Sequence, residues 1–370
     1  MKKIIYSLIL IILLLPVLII IYLSAVGIET SRFNNIIIKE IKKKDLNTQL
    51  SLNKIKIKFD LQKFQIYLST LEPNIVYQNI KIPIREINIY TKISSILKSK
   101  NEISQAIILF QNFKIKDVQK LAIRIKPSNF KTYLLNNLSN GKIEKILINV
   151  KLDKDLNITD YKVNGSIKKI NIKIFDDLLI QDVNFNFISD KELTLINSIN
   201  ANYKGVSISN GAVSLKKNQE IEGQFNSQFN LNKNEINNLS KKFNLSFLNE
   251  TKININGSFL HKFIIKLNKN FKLTDYDYKS SGNISESKII LQYPFEASFI
   301  EKSISKISVS KTNLEINLNS KNNNLLMIDG LYNLGGSQNK KFKVTHNFNK
   351  KNPKYLIDFD LSENIFLELI

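Results

Sequence analysis

The stretch NKIKIKFDL, residues 53–61, alternates apolar and charged side chains almost without error. Ile55, Ile57, Phe59 and Leu61 fall on one side of an extended chain, and Lys54, Lys56, Lys58 and Asp60 on the other. A strand repeats every two residues, so the segment has one apolar and one charged face. The pattern recurs along most of the chain, which makes the fate of the apolar face the central question.

Ile80, Ile82 and Ile84 alternate, and Ile87 and Ile89 resume after a one-residue phase break at Arg85–Glu86, which predicts a bulge. The period of two returns at Leu121/Ile123/Ile125 and at Ile146, Ile148, Val150 and Leu152. It continues through Ile170, Ile172 and Ile174, then Val183, Phe185 and Phe187. Later runs are Ile253/Ile255, Leu314/Ile316/Leu318 and Ile357/Phe359/Leu361. NGK, VNGS, SNGA, NKN and NLGGSQN read as the turns between them. Helical spacing interrupts the rhythm at Phe130, Tyr133, Leu134 and Leu138, and at Ile236, Leu239 and Phe243, over residues 127–139 and 233–243.

The fold class expected is mostly β, an elongated, curled antiparallel sheet with a few short amphipathic helices. About 20–25 strands at about 4.8 Å each give a sheet on the order of 100 Å, and an open sheet of that size curls because strands twist. Two architectures bury the apolar faces: a compact sandwich or barrel, or a curled sheet that leaves an apolar trough. Composition does not separate them. Runs of 4–8 residues fall short of the roughly 9–11 that a membrane-spanning strand needs, which argues against an outer-membrane barrel.

The first residues are of another kind. After Lys2 and Lys3 no charge occurs until Glu29. Ile4–Ile28 would span about 37 Å as a helix at about 1.5 Å per residue, enough to cross a bilayer. Ile4, Leu10, Leu14 and Ile20 supply the apolar body, Tyr6 and Tyr22 suit the interfaces, and Pro16 is tolerated at mid-membrane. The competing reading is a signal peptide cleaved near Ala25–Gly27, but its apolar region is usually about 7–15 residues. An uncleaved anchor over residues 1–28 is therefore expected, with the N-terminus cytoplasmic and the bulk of the chain exported. Phe33, Ile36, Ile37 and Ile41 then follow helical spacing, predicting a short amphipathic helix at the membrane surface. Residues 29–126 and 127–370 follow as two β regions with a soft boundary.

Fifty-four Lys and Arg against 32 Asp and Glu give a net charge of +22. Such a surface suits anionic lipid or nucleic acid, yet heavy use of Asn, Lys and Ile points equally to compositional drift. No basic motif is interleaved with aromatics, so nucleic acid is not an expected partner. With no cysteine, disulfides and thiolate metal sites are excluded. His261 and His346 stand in strand contexts without metal-ligand spacing, and Asp176–Asp177 reads as a turn. No phosphate-binding loop or nucleophile elbow occurs. No enzyme activity and no cofactor are expected.

The order of elements resembles that of bacterial AsmA-like proteins, a superfamily that includes the TamB and YhdP groups. The likeness lies in the N-terminal helix, the short amphipathic helix and the alternating strands through ISSILKSKNEISQAIILFQNFKI. A second stretch, NFKTYLLNNLSNGKIEKILINVKL with the NGSI, IQDVNFNF and YKGVSISNG segments that follow, is similar to the central domain of the YhdP group. Tyr133 stands where that group commonly has Trp, and the chain is far shorter than typical members. The resemblance implies a taco-shaped apolar groove carrying phospholipid between inner and outer membranes, or serving envelope maintenance. The groove would be lined by Ile55, Ile57, Phe59 and Leu61, by Ile80, Ile82 and Ile84, by Ile146, Ile148 and Val150, and by the runs at 170–174 and 183–187. It implies acyl chains and the inner membrane as partners, with a further periplasmic or outer-membrane protein at the far end. The alternative is a periplasmic scaffold for outer-membrane protein assembly that moves no lipid.

Overall fold

The computed structural model describes the chain except residues 1, 33, 45–46, 92–102, 124–131, 133–134, 176–177, 237–251, 269–271, 297–302, 322–323, 336–337, 348–353 and 361–370. The fold is mostly β and antiparallel, with few helices. Contacts divide it into two compact units, Met1–Ile172 with Asn186–Glu192, and Lys173–Phe185 with Leu193–Ile370. The division falls after Ile172 rather than near residue 127.

The first unit opens with α1 (Lys2–Ala25), β1 (Ile28–Thr30) and α2 (Asn34–Lys44). The strands β2 (Thr48–Ser51), β3 (Ile55–Asp60), β4 (Gln65–Leu71), β5 (Asn74–Tyr77), β6 (Ile80–Ile82), β7 (Ile84–Thr91) and β8 (Ile103–Lys114) follow. Helix α3 (Ile115–Ile123) precedes β9 (Leu138–Ser139), β10 (Lys142–Leu152), β11 (Ile158–Phe175) and β12 (Leu178–Ser189). β11 and β12 each give residues to both units.

The second unit holds β13 (Leu193–Tyr203), β14 (Val206–Lys216), β15 (Glu220–Leu231), β16 (Lys252–Leu267) and β17 (Leu273–Ile284). It continues with β18 (Ser287–Phe295), β19 (Ile304–Asn319), β20 (Leu325–Asn333), β21 (Lys340–Asn347) and β22 (Lys354–Phe359). From β13 to β17 and from β19 to β22 each strand pairs antiparallel with the next. β17 and β18 both run antiparallel to β16 and to β19, so they are two lengths of one interrupted strand.

Several local expectations meet the structure directly. The register slips between Ile84 and Glu86, where the phase break predicts a bulge, so Ile84 and Ile87 keep to one face. Ile80 and Ile82 do not share that face. Pro83 ends their strand, and β6 pairs with β5 in a separate three-stranded sheet with β2. Leu61 lies past the end of β3, in a turn that leaves it 59% exposed.

Leu121/Ile123 is helical rather than extended. Ile115, Val118 and Ala122 fall on one helical face there, and Asp117 sits in the first turn, where a carboxylate suits the helix dipole. Ile125, Asp176–Asp177 and most of the helical readings at 127–139 and 237–243 lie outside the described residues; residues 135–137 are helical, but Leu138 is in β9 and pairs with β11 instead of continuing the helix. Residues 233–236 are helical, and Asn232 caps them. Its Oδ1 accepts from the Asn234 and Glu235 amides, while Glu235 accepts from the Asn232 amide at 2.8 Å, a reciprocal capping box.

NGK forms a turn with Asn140 and Gly141 at positive φ, but VNGS and SNGA lie inside β11 and β14. Strands are also longer than the alternation alone suggested, 18 residues in β11 and 16 in β16 and β19. The length argument against a membrane barrel therefore fails.

Among the described residues no helix is long and apolar enough to cross a membrane. The side chains described in α1 are those of Leu14–Ala25. In that part Leu14, Pro16 and Tyr22 are exposed and Ile20 is half-buried, while the side chains of Ile4 and Leu10 lie outside the description.

Candidate functional site

Register gathers the apolar side chains into rows that cross the strands. In the first unit Ile57, Leu68, Ile89, Ala106, Val150 and Tyr161 stand opposite one another in turn across β3, β4, β7, β8, β10 and β11. The next row is Ile55, Thr70, Ile87, Ile108, Ile148 and Val163. Ile84, Phe110, Ile146 and Gly165 form a third. The intervening residues, including Lys56, Lys58, Asn88, Lys145 and Lys162, alternate onto the other face. Tyr90 is on that polar face, stacked on Tyr67 at 4.9 Å with the Lys63 ammonium 3.9 Å above its ring. Burial first, then the charge of Asp60, pushes its phenol up to about 12.

The second unit repeats the design over more strands. Ala201, Ile208, Ser227, Phe259, Gly282, Leu314, Ile328, Val344 and Ile357 are successive partners from β13 to β22, with no charge among them. At about 4.8 Å per strand such a row is on the order of 38 Å long. The opposite face carries Asn226, Leu260, Ser281, Glu315, Met327 and Thr345 at the neighbouring register positions.

Glycines and phenyl rings shape this floor. A Cβ at Gly223 would meet the Phe263 ring, at Gly257 the Phe229 ring, at Gly282 Phe259, and at Gly165 the Phe187 ring. Each ring therefore lies down over a cross-strand glycine instead of standing off the sheet. That is why the Asn-Gly of VNGS is not a turn: Gly165 is the bed for Phe187.

The exposure of this face bears on the two architectures. A closed core would bury the central large side chains completely. Among the described residues the side chains buried on the face from β14 to β22 are the small Ser227, Ser280, Ser287 and Thr312, overshadowed by their neighbours. The large ones are half-buried, and at β22 Tyr355 and Ile357 are 65% and 60% exposed. Among the described residues nothing covers the face. The first unit is tighter at Ile55, 0% exposed, and Phe59, 5% exposed.

Of the residues expected to line a groove, Ile55, Ile57, Phe59, Ile84, Ile146, Ile148, Val150 and Phe187 share the apolar face of the first unit. Ile170 is buried beside Gly141 and Ile172 pairs with Leu138. Val183 is buried, Phe185 is half-buried, and the side chain of Ile174 lies outside the description.

One polar cluster sits on the second unit's apolar face. Ser227 Oγ is 2.7 Å from His261 Nε2, and His261 Nδ1 is 2.8 Å from the Tyr278 hydroxyl. The imidazole stacks on Phe225 at 4.4 Å, and burial holds its pKa below the usual histidine range. Beside it Phe263, Ile265, Leu273, Tyr276, Asp277 and Tyr278 line a hollow of about 360 Å³. The sequence shows His261 only as a strand residue; the signal it held was parity, since His261 alternates in phase with Phe259 and Phe263. Among the described residues no group of three His, Asp or Glu is placed to hold a metal.

In comparison with known proteins, no family model, no curated protein and no solved structure matches this chain.

Proposed function

We propose that this is a membrane-anchored, non-enzymatic protein whose apolar sheet faces hold phospholipid acyl chains and pass them between membranes. The observation that carries the reading is the half-exposed apolar face of β13–β22, which a protein meeting only water would bury. Each CH₂ removed from water there is worth about 0.8 kcal/mol. Rings lying over glycines keep the floor shallow, so a chain sliding along it meets no deep trap. The amphipathic likeness to AsmA-like proteins and the uncharged run Ile4–Ile28 support an inner-membrane anchor, with the remainder in the periplasm and the curled sheets forming a groove.

The test is reconstitution of the full chain with fluorescent phospholipid, comparing Ile57→Asp and Ile148→Asp with the unaltered protein. Stoichiometric loading that the substitutions abolish supports the proposal. A folded protein that takes up no lipid defeats it, and co-isolation of β-barrel proteins instead of lipid points to the scaffold alternative.

A further inference from the structure

The polar cluster on the second unit's apolar face has one hydrogen too many. Two hydrogen bonds link Ser227, His261 and Tyr278, and a neutral imidazole with two hydroxyls brings three hydrogens to them. With the proton on Nδ1, the ring donates to the Tyr278 oxygen, Ser227 donates to Nε2, and the Tyr278 O–H is unspent. With the proton on Nε2, the ring donates to Ser227 Oγ, Tyr278 donates to Nδ1, and the Ser227 O–H is unspent. Ser280 also hydrogen-bonds the Tyr278 phenol, and because it brings one more hydrogen and one more bond, one hydrogen stays in excess.

Ser227 is only 6% exposed, which leaves the half-buried Tyr278 as the member that reaches outward. Tyr278 is also a wall of the 360 Å³ hollow, whose other walls are mostly apolar. That volume is within the range of small-ligand sites, about 300–1,000 Å³.

We propose that Ser227, His261 and Tyr278 form a head-group subsite. It accepts the anionic oxygen of a phosphodiester-bearing, single-chain amphiphile, whose chain lies in the hollow beside Phe263, Ile265 and Tyr276. The inference rests on the apolar face binding acyl chains, and adds a chemical preference to it.

Protonation strengthens the subsite. An imidazolium donates from both nitrogens, to the Ser227 and Tyr278 oxygens, so both hydroxyl hydrogens become available and a positive charge is added. No opposite charge meets it on this face. β15 presents Phe225 and Phe229, β16 presents Phe259 and Phe263, and β17 presents Tyr276 and Ser280. Glu222, Lys262 and Lys279 alternate to the other face, and Asp277 borders the hollow from that side of β17. Anion binding therefore tightens with acid.

The experiment titrates the full chain with 1-oleoyl-lysophosphatidylglycerol, anionic throughout, and with uncharged monoolein, by calorimetry below their micelle concentrations. The runs are made at about pH 7.5 and about pH 4.5, the lower value set well under the usual histidine range because burial holds the His261 pKa down. The expected result is roughly tenfold tighter binding of the anionic lipid, as one charge-assisted hydrogen bond supplies. The preference widens at the lower pH. Tyr278→Phe and His261→Gln lose it while keeping monoolein binding, and Tyr278→Phe removes one atom from a half-buried ring, so folding is retained. Equal binding of both lipids, unmoved by pH and by either variant, overturns the subsite and leaves the acyl-chain reading intact. Failure of both lipids to bind overturns that reading, and the subsite with it.

Discussion

Gly223→Ala tests the way the apolar floor is built. The new Cβ would stand 2.7 Å from Phe263 Cε1 and 3.0 Å from Cε2, with Cζ closer still. All three atoms belong to one ring, so the ring must lift off the sheet. Overpacking of this kind costs about 1–3 kcal/mol, and a phenyl group that can swing places the cost in the lower half of that range. Replacing a strand glycine by alanine returns roughly 0.5–1 kcal/mol of backbone entropy. Gly223→Ala alone is therefore destabilising by up to about 1.5 kcal/mol, whereas in a Phe263→Ala background it is stabilising by roughly 0.5–1 kcal/mol. The chain has no tryptophan, so urea unfolding is followed by far-UV circular dichroism. Midpoints are compared across the four proteins of the cycle, because a two-unit chain need not unfold in one step. The cycle should show a coupling of about 1–2 kcal/mol. Coupling below about 0.5 kcal/mol, the scatter expected of independent sites, would refute the picture of rings bedded on glycines.

Two further outcomes follow from burial. Ile55→Ala, at a site 0% exposed, should lower stability by about 2–4 kcal/mol, while Leu61→Ala, 59% exposed, should stay within about 0.5 kcal/mol by the same urea titration. Burial depresses the folded-state pKa of His261 below its unfolded value near 6.5. The unfolded chain thus binds more protons below that value. Its share of stability is present above about pH 6.5 and is lost as pH falls through the folded pKa. His261→Gln should flatten that part of the stability–pH curve, and an unchanged curve would show that the imidazole does not titrate in a buried site.

Much of the β architecture was legible because period two survives any tertiary context. NKIKIKFDL placed β3 to within a residue of its end, and the slip at Arg85–Glu86 marked a true bulge. Misreadings came where one local signal served two purposes. Asn-Gly is a turn at Asn140–Gly141 and the bed for a ring at Gly165, and only the cross-strand partner tells which. LAIRI alternates like a strand, yet its first residues finish a helix begun at Ile115. Pro83 split a run of three isoleucines between two sheets. The Ser227–His261–Tyr278 cluster joins three strands across 51 residues of sequence, so it existed only once register was fixed.

NKIKIKFDL left open whether the apolar strand faces of this chain meet a protein core or something else, and site-specific photocrosslinking answers that for the second unit. A benzophenone side chain is placed at Phe259 or Ile316 on the apolar face, and at Ser258 or Glu315 on the opposite one, and the full chain is irradiated in cells. Phospholipid adducts from Phe259 and Ile316, and none from Ser258 and Glu315, are the predicted result. Adducts absent from all four positions, or equal from both faces, would contradict a lipid-bearing surface.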